Sequence, residues 1–214
     1  PFDLAELQGA GCYGGLDLGS TTDLTSFALW FPDHRALASW SWIPGDNIAD
    51  REHRDRVPYR EWMRAGLIEA TPGRAVNRRH LAMRVAEIVA PFDLRKIAYD
   101  RWRIEDLKAI CADEGIELPL EPFGQGWRDM SPAVEAFEAL ILNGELRHGG
   151  NPVLRWAMSN VALDTDPTGA RKPNKERATG RIDPVAAALM AVGIWSREPA
   201  PVAYDFDKPL VLSA

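Results

Sequence analysis

The 214 residues suit one domain of ordinary size, and a hydrophobic fraction of 46% beside a charged fraction of 26% indicates a globular protein with a substantial core. No apolar run approaches the ~18 residues of a membrane helix, and the N-terminal residues lack the basic and apolar regions of a signal peptide. Cys12 and Cys111 stand far apart without a CxxC partner, which argues against a zinc ribbon or a disulfide scaffold. The net charge of −6 argues against a free-standing DNA-binding protein.

The first part of the chain predicts three consecutive strands. Residues 12–18 are apolar and aromatic up to a Gly-Ser-Thr-Thr turn, and residues 24–31 form a second apolar run. Residues 36–43 alternate apolar and polar side chains, as expected of a half-buried strand. Three strands in succession favour an antiparallel meander.

Helices that alternate with strands are predicted for the rest of the chain. Ser131 and Asn151 are expected as N-caps because each precedes a proline. Residues 165–180 predict a polar loop or hairpin. This order predicts an α/β fold with a mixed sheet, an antiparallel three-strand start followed by parallel strands, and helices on both faces, which fits a ribonuclease-H-like arrangement. The predicted helices are 58–65, 76–90, 103–114, 131–143, 151–159 and 184–195, and the predicted strands are 94–99 and 116–122.

Three aspartates stand at the ends of predicted elements. Asp17 ends the first strand, Asp100 follows the strand at 94–99, and Asp183 opens the last helix. Strand ends meet at one edge of an open sheet, where ligands tend to bind, and converging carboxylates repel one another unless protons or cations lie between them. Mg²⁺ and Mn²⁺ take such oxygen ligands, and a pair of these ions could activate water for phosphodiester cleavage.

Simpler interpretations of these residues stay open. Asp183 could be a helix N-cap, Asp100 could pair with a nearby arginine, and Asp23, a possible fourth ligand, could cap its own turn. Asp17 is the hardest to explain in this way, because an unpaired charge inside an apolar strand is costly. Lys175 could contact a scissile phosphate or could be a solvated loop lysine.

Basic residues cluster at 51–64, 73–84 and 171–181. Each cluster fits contacts with DNA phosphates or a solvated surface equally well. The four histidines share no metal-ligand spacing, and the chain has no GxxxxGK[ST] phosphate loop. The candidates for DNA contacts are Arg78, Arg79, Arg171, Lys172 and Arg177.

Four blocks of the sequence, in this order, resemble the nuclease domain of the large terminase subunits of tailed bacteriophages. They are YGGLDLGSTTDLTSFALWFPD (13–33), VPYREWMRAGLIEATPG (57–73), IAYDRWR (97–103) and a closing block at 150–193 that contains RIDP. The resemblance implies a ribonuclease-H-like endonuclease that cuts concatemeric double-stranded DNA during genome packaging. It also implies Mg²⁺ or Mn²⁺, as a pair of ions, held by Asp17, Asp100 and Asp183, with Asp23 as an accessory ligand.

The same resemblance implies a domain organisation and a set of partners. Residues 1–11 are interpreted as a linker from a missing N-terminal ATPase motor domain, 12–196 as the nuclease domain and 197–214 as a Pro-rich mobile tail. The expected partners are double-stranded DNA, the ATPase domain of the same full-length protein, the portal and the small terminase subunit, with no membrane. The expected location is the host cell cytoplasm.

Three other interpretations remain. GLDLGSTTD resembles the phosphate loop of actin-like ATPases and sugar kinases, although a second glycine-rich nucleotide loop is missing from the sequence. The chain could instead be a non-catalytic docking module whose acidic, Pro-rich tail binds a partner such as the portal ring. A different ribonuclease-H-like nuclease, such as a resolvase or an RNA-cleaving enzyme, is the third.

Overall fold

A six-stranded sheet forms the centre of the protein, and the computed structural model describes residues 2–19, 24–101 and 104–199. Two further short strands form a separate hairpin. The strands are β1 (Gly11–Asp17), β2 (Thr25–Phe31), β3 (Ala36–Pro44), β4 (Glu69–Thr71), β5 (Asp93–Tyr99), β6 (Leu120–Pro122), β7 (Leu163–Thr165) and β8 (Arg171–Pro173). The helices are α1 (Ile48–Asp55), α2 (Tyr59–Arg64), α3 (Arg78–Val89), α4 (Ile104–Glu114), α5 (Trp127–Leu142), α6 (Pro152–Ser159) and α7 (Asp183–Ser196).

The strand order of the main sheet is β4-β3-β2-β1-β5-β6. Strand β2 runs antiparallel to both of its neighbours, and the other neighbouring pairs are parallel. Strands β2, β3 and β4 therefore lie on one side of β1, and the next strand in the chain, β5, lies on its other side. In open α/β sheets such a reversal places a crevice at the carboxyl ends of the two strands, here β1 and β5.

Helices cover both faces of the sheet. Because successive side chains of β2 point to opposite faces, their packing partners show which helices lie on each face. All seven residues of β2 are buried, as expected for a strand with helices on both sides. Phe27, Leu29 and Phe31 belong to the apolar cluster with α3 and α4. Ala28 and Trp30 belong to the cluster with α5, α6 and α7. The predicted fold class is confirmed.

Several local predictions were wrong or incomplete. Helix α1 and strand β4 were missed, and β6 is shorter than the strand predicted at 116–122. Helix α5 begins at Trp127, so Ser131 is not its N-cap and Pro132 lies inside the helix. Asn151 is the N-cap of α6 as predicted, because its side chain accepts from two backbone N–H groups of the first turn.

The polar segment after α6 contains the predicted hairpin, formed by β7 and β8. Asp23 and residues 200–214 of the predicted tail lie outside the described residues. Of the helices in the described ranges, none is long and apolar enough to cross a membrane.

Candidate functional site

The pairing of β1 with β5 places Asp17 and Asp100 side by side. Leu16 pairs with Tyr99, and the residue after each of them is an aspartate at the carboxyl edge of the sheet: Asp17 ends β1 and Asp100 directly follows β5. Neighbouring strands lie ~4.8 Å apart, and residues level with each other in a parallel pair point to the same face. An irregularity upstream sets this register: Cys12 pairs with Leu94 but Tyr13 pairs with Lys96, so β5 contains one extra residue.

Helix α7 brings the third aspartate to the same place. Its backbone lies so close to β1 that a Cβ atom on Gly15 would stand 1.9 Å from the carbonyl oxygen of Ala187. Asp17 is two residues further along the strand, on the same face as Gly15, and Asp183 is one turn before Ala187 in the helix. The distance from Gly15 to Asp17 along β1 is ~6.6 Å, and the distance from Ala187 back to Asp183 along α7 is ~6 Å. Because α7 runs antiparallel to β1, Asp183 therefore lies next to Asp17.

Lys175, in the segment that follows β8, connects the two buried carboxylates. Its ammonium lies 2.8 Å from Oδ2 of Asp17 and 3.6 Å from Oδ1 of Asp183. The side chains of the two aspartates are only 5% and 7% exposed, whereas that of Lys175 is 52% exposed. Ile182 occupies the N-cap position of α7 and Asp183 is the first helical residue, so the N-cap interpretation of Asp183 is wrong.

Burial governs the protonation of this centre. Burial raises the pKa of Asp17 against the opposing attraction of Lys175, and the charge of Asp100 raises it further. Burial and the charge of Asp17 raise the pKa of Asp183 to about 6. Burial disfavours the ammonium of Lys175, but the attraction of Asp17 and Asp183 is stronger and raises the pKa of Lys175. The surroundings therefore favour the neutral forms of both aspartates more than water does.

We expect Asp183→Asn to stabilise the metal-free protein at pH 7.5 by on the order of 1–3 kcal/mol. The pKa of Asp183 rises from its ordinary value of 3.8 to about 6 in the fold, so between these values the folded state binds more protons than the unfolded state. The contribution of this carboxyl to the free energy of unfolding thus decreases as the pH rises through that window. The asparagine amide does not ionise, so the variant does not lose this stability.

Urea unfolding in EDTA at pH 4 and pH 7.5 measures this effect. The gain of the variant over the parent should be present at pH 7.5 and nearly absent at pH 4, where both side chains are neutral. Asp93→Asn, at the exposed start of β5, is the matched control and should shift neither value. A variant less stable than the parent at pH 7.5 would show that the fold prefers the charged carboxylate.

A cavity of about 910 Å³ opens over the three aspartates, and all three line it. Sequence reasoning missed several of its other charged residues. Arg54 and Asp55 come from the unpredicted helix α1, and Asp55 accepts a hydrogen bond from Tyr59 and lies 3.5 Å from Arg181. The charged residues of the described wall are four acids and four bases, namely Asp17, Asp55, Asp100, Asp183, Arg54, Lys172, Lys175 and Arg181.

The basic clusters of the sequence include part of the cavity wall, since Arg54 lies within 51–64 and Arg181 within 171–181. What the sequence could not indicate was which members of each stretch face the cavity. Helix α1 also lacks an apolar stripe, because Ile48 and Ala49 are its only apolar residues.

Of the five predicted DNA contacts, Lys172 is the one that lines the described cavity. Its ammonium lies 4.8 Å from the ring centre of Trp127. Arg171 forms two hydrogen bonds with Glu138 of α5, and Arg177 pairs with Asp164 of β7. Arg78 and Arg79 begin α3, outside the cavity wall. Arg79 pairs with Glu114 of α4.

The hairpin that precedes Lys175 is fixed to α5. The hydroxyl of Ser131 accepts a hydrogen bond from the backbone N–H of Arg171 at 3.0 Å, close to the Arg171–Glu138 pair. Ser131 thus anchors the hairpin instead of capping the helix. Since the hairpin is held in this way, the backbone around Lys175 is positioned relative to α5 and the sheet.

The donors at this centre have the chemistry that a hard divalent cation requires. Asp17, Asp100 and Asp183 supply only oxygen atoms, and burial first, then the charge of a neighbouring aspartate, raises the pKa values of Asp17 and Asp183. Within residues 2–19, 24–101 and 104–199, no three His, Cys, Asp or Glu side chains form a ready metal site. The ammonium of Lys175 lies between two of the acids. The residues fit a metal by donor type, with Lys175 in competition.

The sheet order, the helices on both faces and the acidic carboxyl edge define a protein of the ribonuclease-H-like class. The family model described as "Terminase large subunit, endonuclease domain" matches residues 1–198. The chain belongs to this family.

Individual proteins agree with the family match. The chain is 41% identical over 200 residues to the large terminase subunit of Enterobacteria phage HK97, across 91% of this chain and 39% of that protein. The crystal structure of the HK97 large terminase superposes with a TM-score of 0.82 at 39% identity, covering 89% of this chain and 42% of that one. The chain therefore spans about two fifths of the length of this relative.

More distant nucleases share the fold. The large terminase nuclease of thermophilic phage G20c with bound magnesium has a TM-score of 0.54 at 12% identity, covering 85% of this chain and 79% of that one. The large terminase nuclease domain of bacteriophage SPP1 with bound Mn has a TM-score of 0.52 at 13% identity, covering 88% and 87%.

Proposed function

We propose that the chain is a divalent-metal-dependent endonuclease that cuts concatemeric double-stranded DNA during phage genome packaging. The observation that carries this proposal is the convergence of Asp17, Asp100 and Asp183 from β1, the end of β5 and α7 on one cavity. Two of these acids are buried, and the ion pairs that the structure describes leave them short of positive charge. A protein that used them only for stability would gain little from such a cluster.

Asp17, Asp100 and Asp183 would hold Mg²⁺ or Mn²⁺, as one or two ions, with Asp23 as an accessory ligand. When bound, such ions polarise the phosphate and lower the pKa of water, so that water can attack phosphorus at neutral pH. The G20c nuclease with bound magnesium and the SPP1 nuclease domain with bound Mn support this choice of ion.

The basic residues of the cavity wall would place the DNA strand. Arg54, Lys172 and Arg181 lie around the acids, and their side chains can bind phosphate oxygens next to the scissile bond. Arg181 is held by Asp55, which also orients Arg54 through two hydrogen bonds. The four bases balance the four acids of the described wall, so this cavity accepts a phosphate more readily than the chain's net charge of −6 suggests.

The longer relative suggests the context of this activity. We propose that residues 1–11 connect to an N-terminal ATPase motor domain and that residues 12–196 form the nuclease domain. The portal and the small terminase subunit are the proposed partners, in the host cell cytoplasm. A motor that delivers DNA would reduce the affinity for DNA that the nuclease itself requires.

Plasmid cleavage by the purified chain tests the proposal directly. Supercoiled DNA should be nicked and linearised with Mn²⁺ or Mg²⁺ and should stay intact with EDTA. Cleavage that persists in EDTA would contradict metal dependence. If the isolated chain does not cut with ample Mn²⁺, a fusion to the HK97 motor region provides the second test. Failure of this fusion as well would favour the docking-module interpretation.

A further inference from the structure

The contact of Lys175 with Asp17 and Asp183 has a consequence for ion binding. The ammonium attracts both carboxylates from a position between them, 2.8 Å from one oxygen and 3.6 Å from the other. A divalent ion held by Asp17 and Asp183 would compete with this ammonium for their oxygen atoms. It would also bring further positive charge next to the ammonium, in surroundings where burial makes charge interactions strong.

We propose that Lys175 is an internal counter-cation that competes with the divalent ion and is displaced from Asp17 and Asp183 when the ion binds. The inference rests on the proposed metal site and deepens it. Lys175 is then a positioning residue that holds the two acids together before the ion arrives. Without it, the two carboxylates, only 5% and 7% exposed, would lose the cation that lies between them.

The side chain can leave while the backbone stays in place. Half of the Lys175 side chain is exposed, so its movement opens no gap in the core. The neighbouring Asn174 accepts hydrogen bonds from the backbone N–H groups of Glu176 and Arg177. Its amide donates to Asp164 of β7, to which Arg177 is also bonded. These bonds hold the loop on both sides of Lys175 and involve none of its side-chain atoms.

The displaced ammonium would remain in the cavity. Arg54, Lys172 and Arg181 line the same space, so a released Lys175 would add a fourth cation close to the proposed path of the phosphate backbone. When the ion binds, Lys175 would thus exchange its contacts with Asp17 and Asp183 for a contact with the DNA phosphates. This order of events favours DNA engagement after the ion has bound.

Calorimetric titration with Mn²⁺ alone, without DNA, tests the competition. Lys175→Met keeps most of the aliphatic stem and removes the charge, and we expect it to bind Mn²⁺ about tenfold more tightly than the parent. Lys172→Met is the matched control, because it removes a charge from the same cavity without touching the acids, and it should change the affinity less than about twofold. Circular dichroism of all three proteins checks that the fold is retained.

Amine labelling measures the displacement itself in the parent protein. Limited acetylation followed by mass spectrometry should show more modification of Lys175 when Mn²⁺ is added, relative to Lys172. Unchanged labelling, or equal Mn²⁺ affinity of the parent and Lys175→Met, would overturn the inference and leave the proposed nuclease intact. Absence of Mn²⁺ binding by the parent and both variants would overturn the metal site and the inference together.

Discussion

Asp17→Asn is expected to reduce metal-dependent DNA cutting to below about a hundredth of the parent rate. Loss of the groups that merely orient metal ligands costs ~10–100-fold, so loss of a ligand itself should cost at least as much. Asp17 is level with Asp100 across the strand pair and shares Lys175 with Asp183, so it is the member that connects the other two. An amide at this position keeps one oxygen but removes the negative charge.

The variant should fold normally. Burial already disfavours the charged form of Asp17, as its raised pKa indicates, and asparagine has nearly the same shape. Lys175 keeps Asp183 as a partner. The free energy of unfolding should therefore fall no more than about 1 kcal/mol below the parent value, and it can rise as for Asp183→Asn, which separates a chemical defect from a folding defect.

Plasmid cleavage with Mn²⁺, run beside urea unfolding, gives both measurements on one preparation. Asp93→Asn is the control, since this aspartate starts β5 at the opposite end of the sheet and its side chain is half exposed. It should cut at the parent rate. An Asp17→Asn protein that cuts as fast as this control would remove Asp17 from the centre and with it the proposed mechanism.

The acids could be predicted from the sequence because their positions follow from local patterns. A charged residue at the end of an apolar strand, or at the start of an apolar helix, is visible in the order of residues. That Asp17 and Asp100 are level with each other was beyond such reasoning. It depends on the extra residue of β5 near Lys96, and a register shift of one residue would turn one of the two carboxylates to the other face.

The partners of the acids were harder to predict for the same reason. Lys175 is 158 residues from Asp17, and nothing in its polar segment distinguishes it from a solvated lysine. Arg54 and Asp55 lie on a short helix with hardly any apolar periodicity, so the helix itself was missed. Ser131 before Pro132 has the pattern of a helix start, but α5 begins a turn earlier and the serine bonds to the hairpin.

Gly15 connects the fold to the site, and Gly15→Ala should cost about 3 kcal/mol or more in the free energy of unfolding. The added Cβ would stand 1.9 Å from the Ala187 carbonyl oxygen and 2.7 Å from the Ala191 nitrogen. Both atoms belong to helix backbone, so no side chain can turn aside. Helix α7 must therefore move away from β1, although it is buried along nearly its whole length.

Gly11→Ala is the matched control on the same strand, because its Cβ would meet nothing closer than the Arg95 side chain at 3.9 Å. This variant should be as stable as the parent or gain up to ~1 kcal/mol from the reduced freedom of the unfolded chain. Urea unfolding compares the two proteins. Equal stability would mean that the close approach of α7 is not required.

Gly15→Ala should also lower the rate of DNA cutting by more than about tenfold, even at a temperature where the variant remains folded. Displacements near 1 Å can cost ~10²-fold in rate. Asp183 lies one turn before Ala187, so a shift of α7 moves it away from Asp17, whereas Asp17 and Asp100 stay paired through the sheet. A folded Gly15→Ala protein with parent activity would show that the centre tolerates movement of α7. The absence of a side chain at Gly15 is thus as much a requirement of the site as the three carboxylates are.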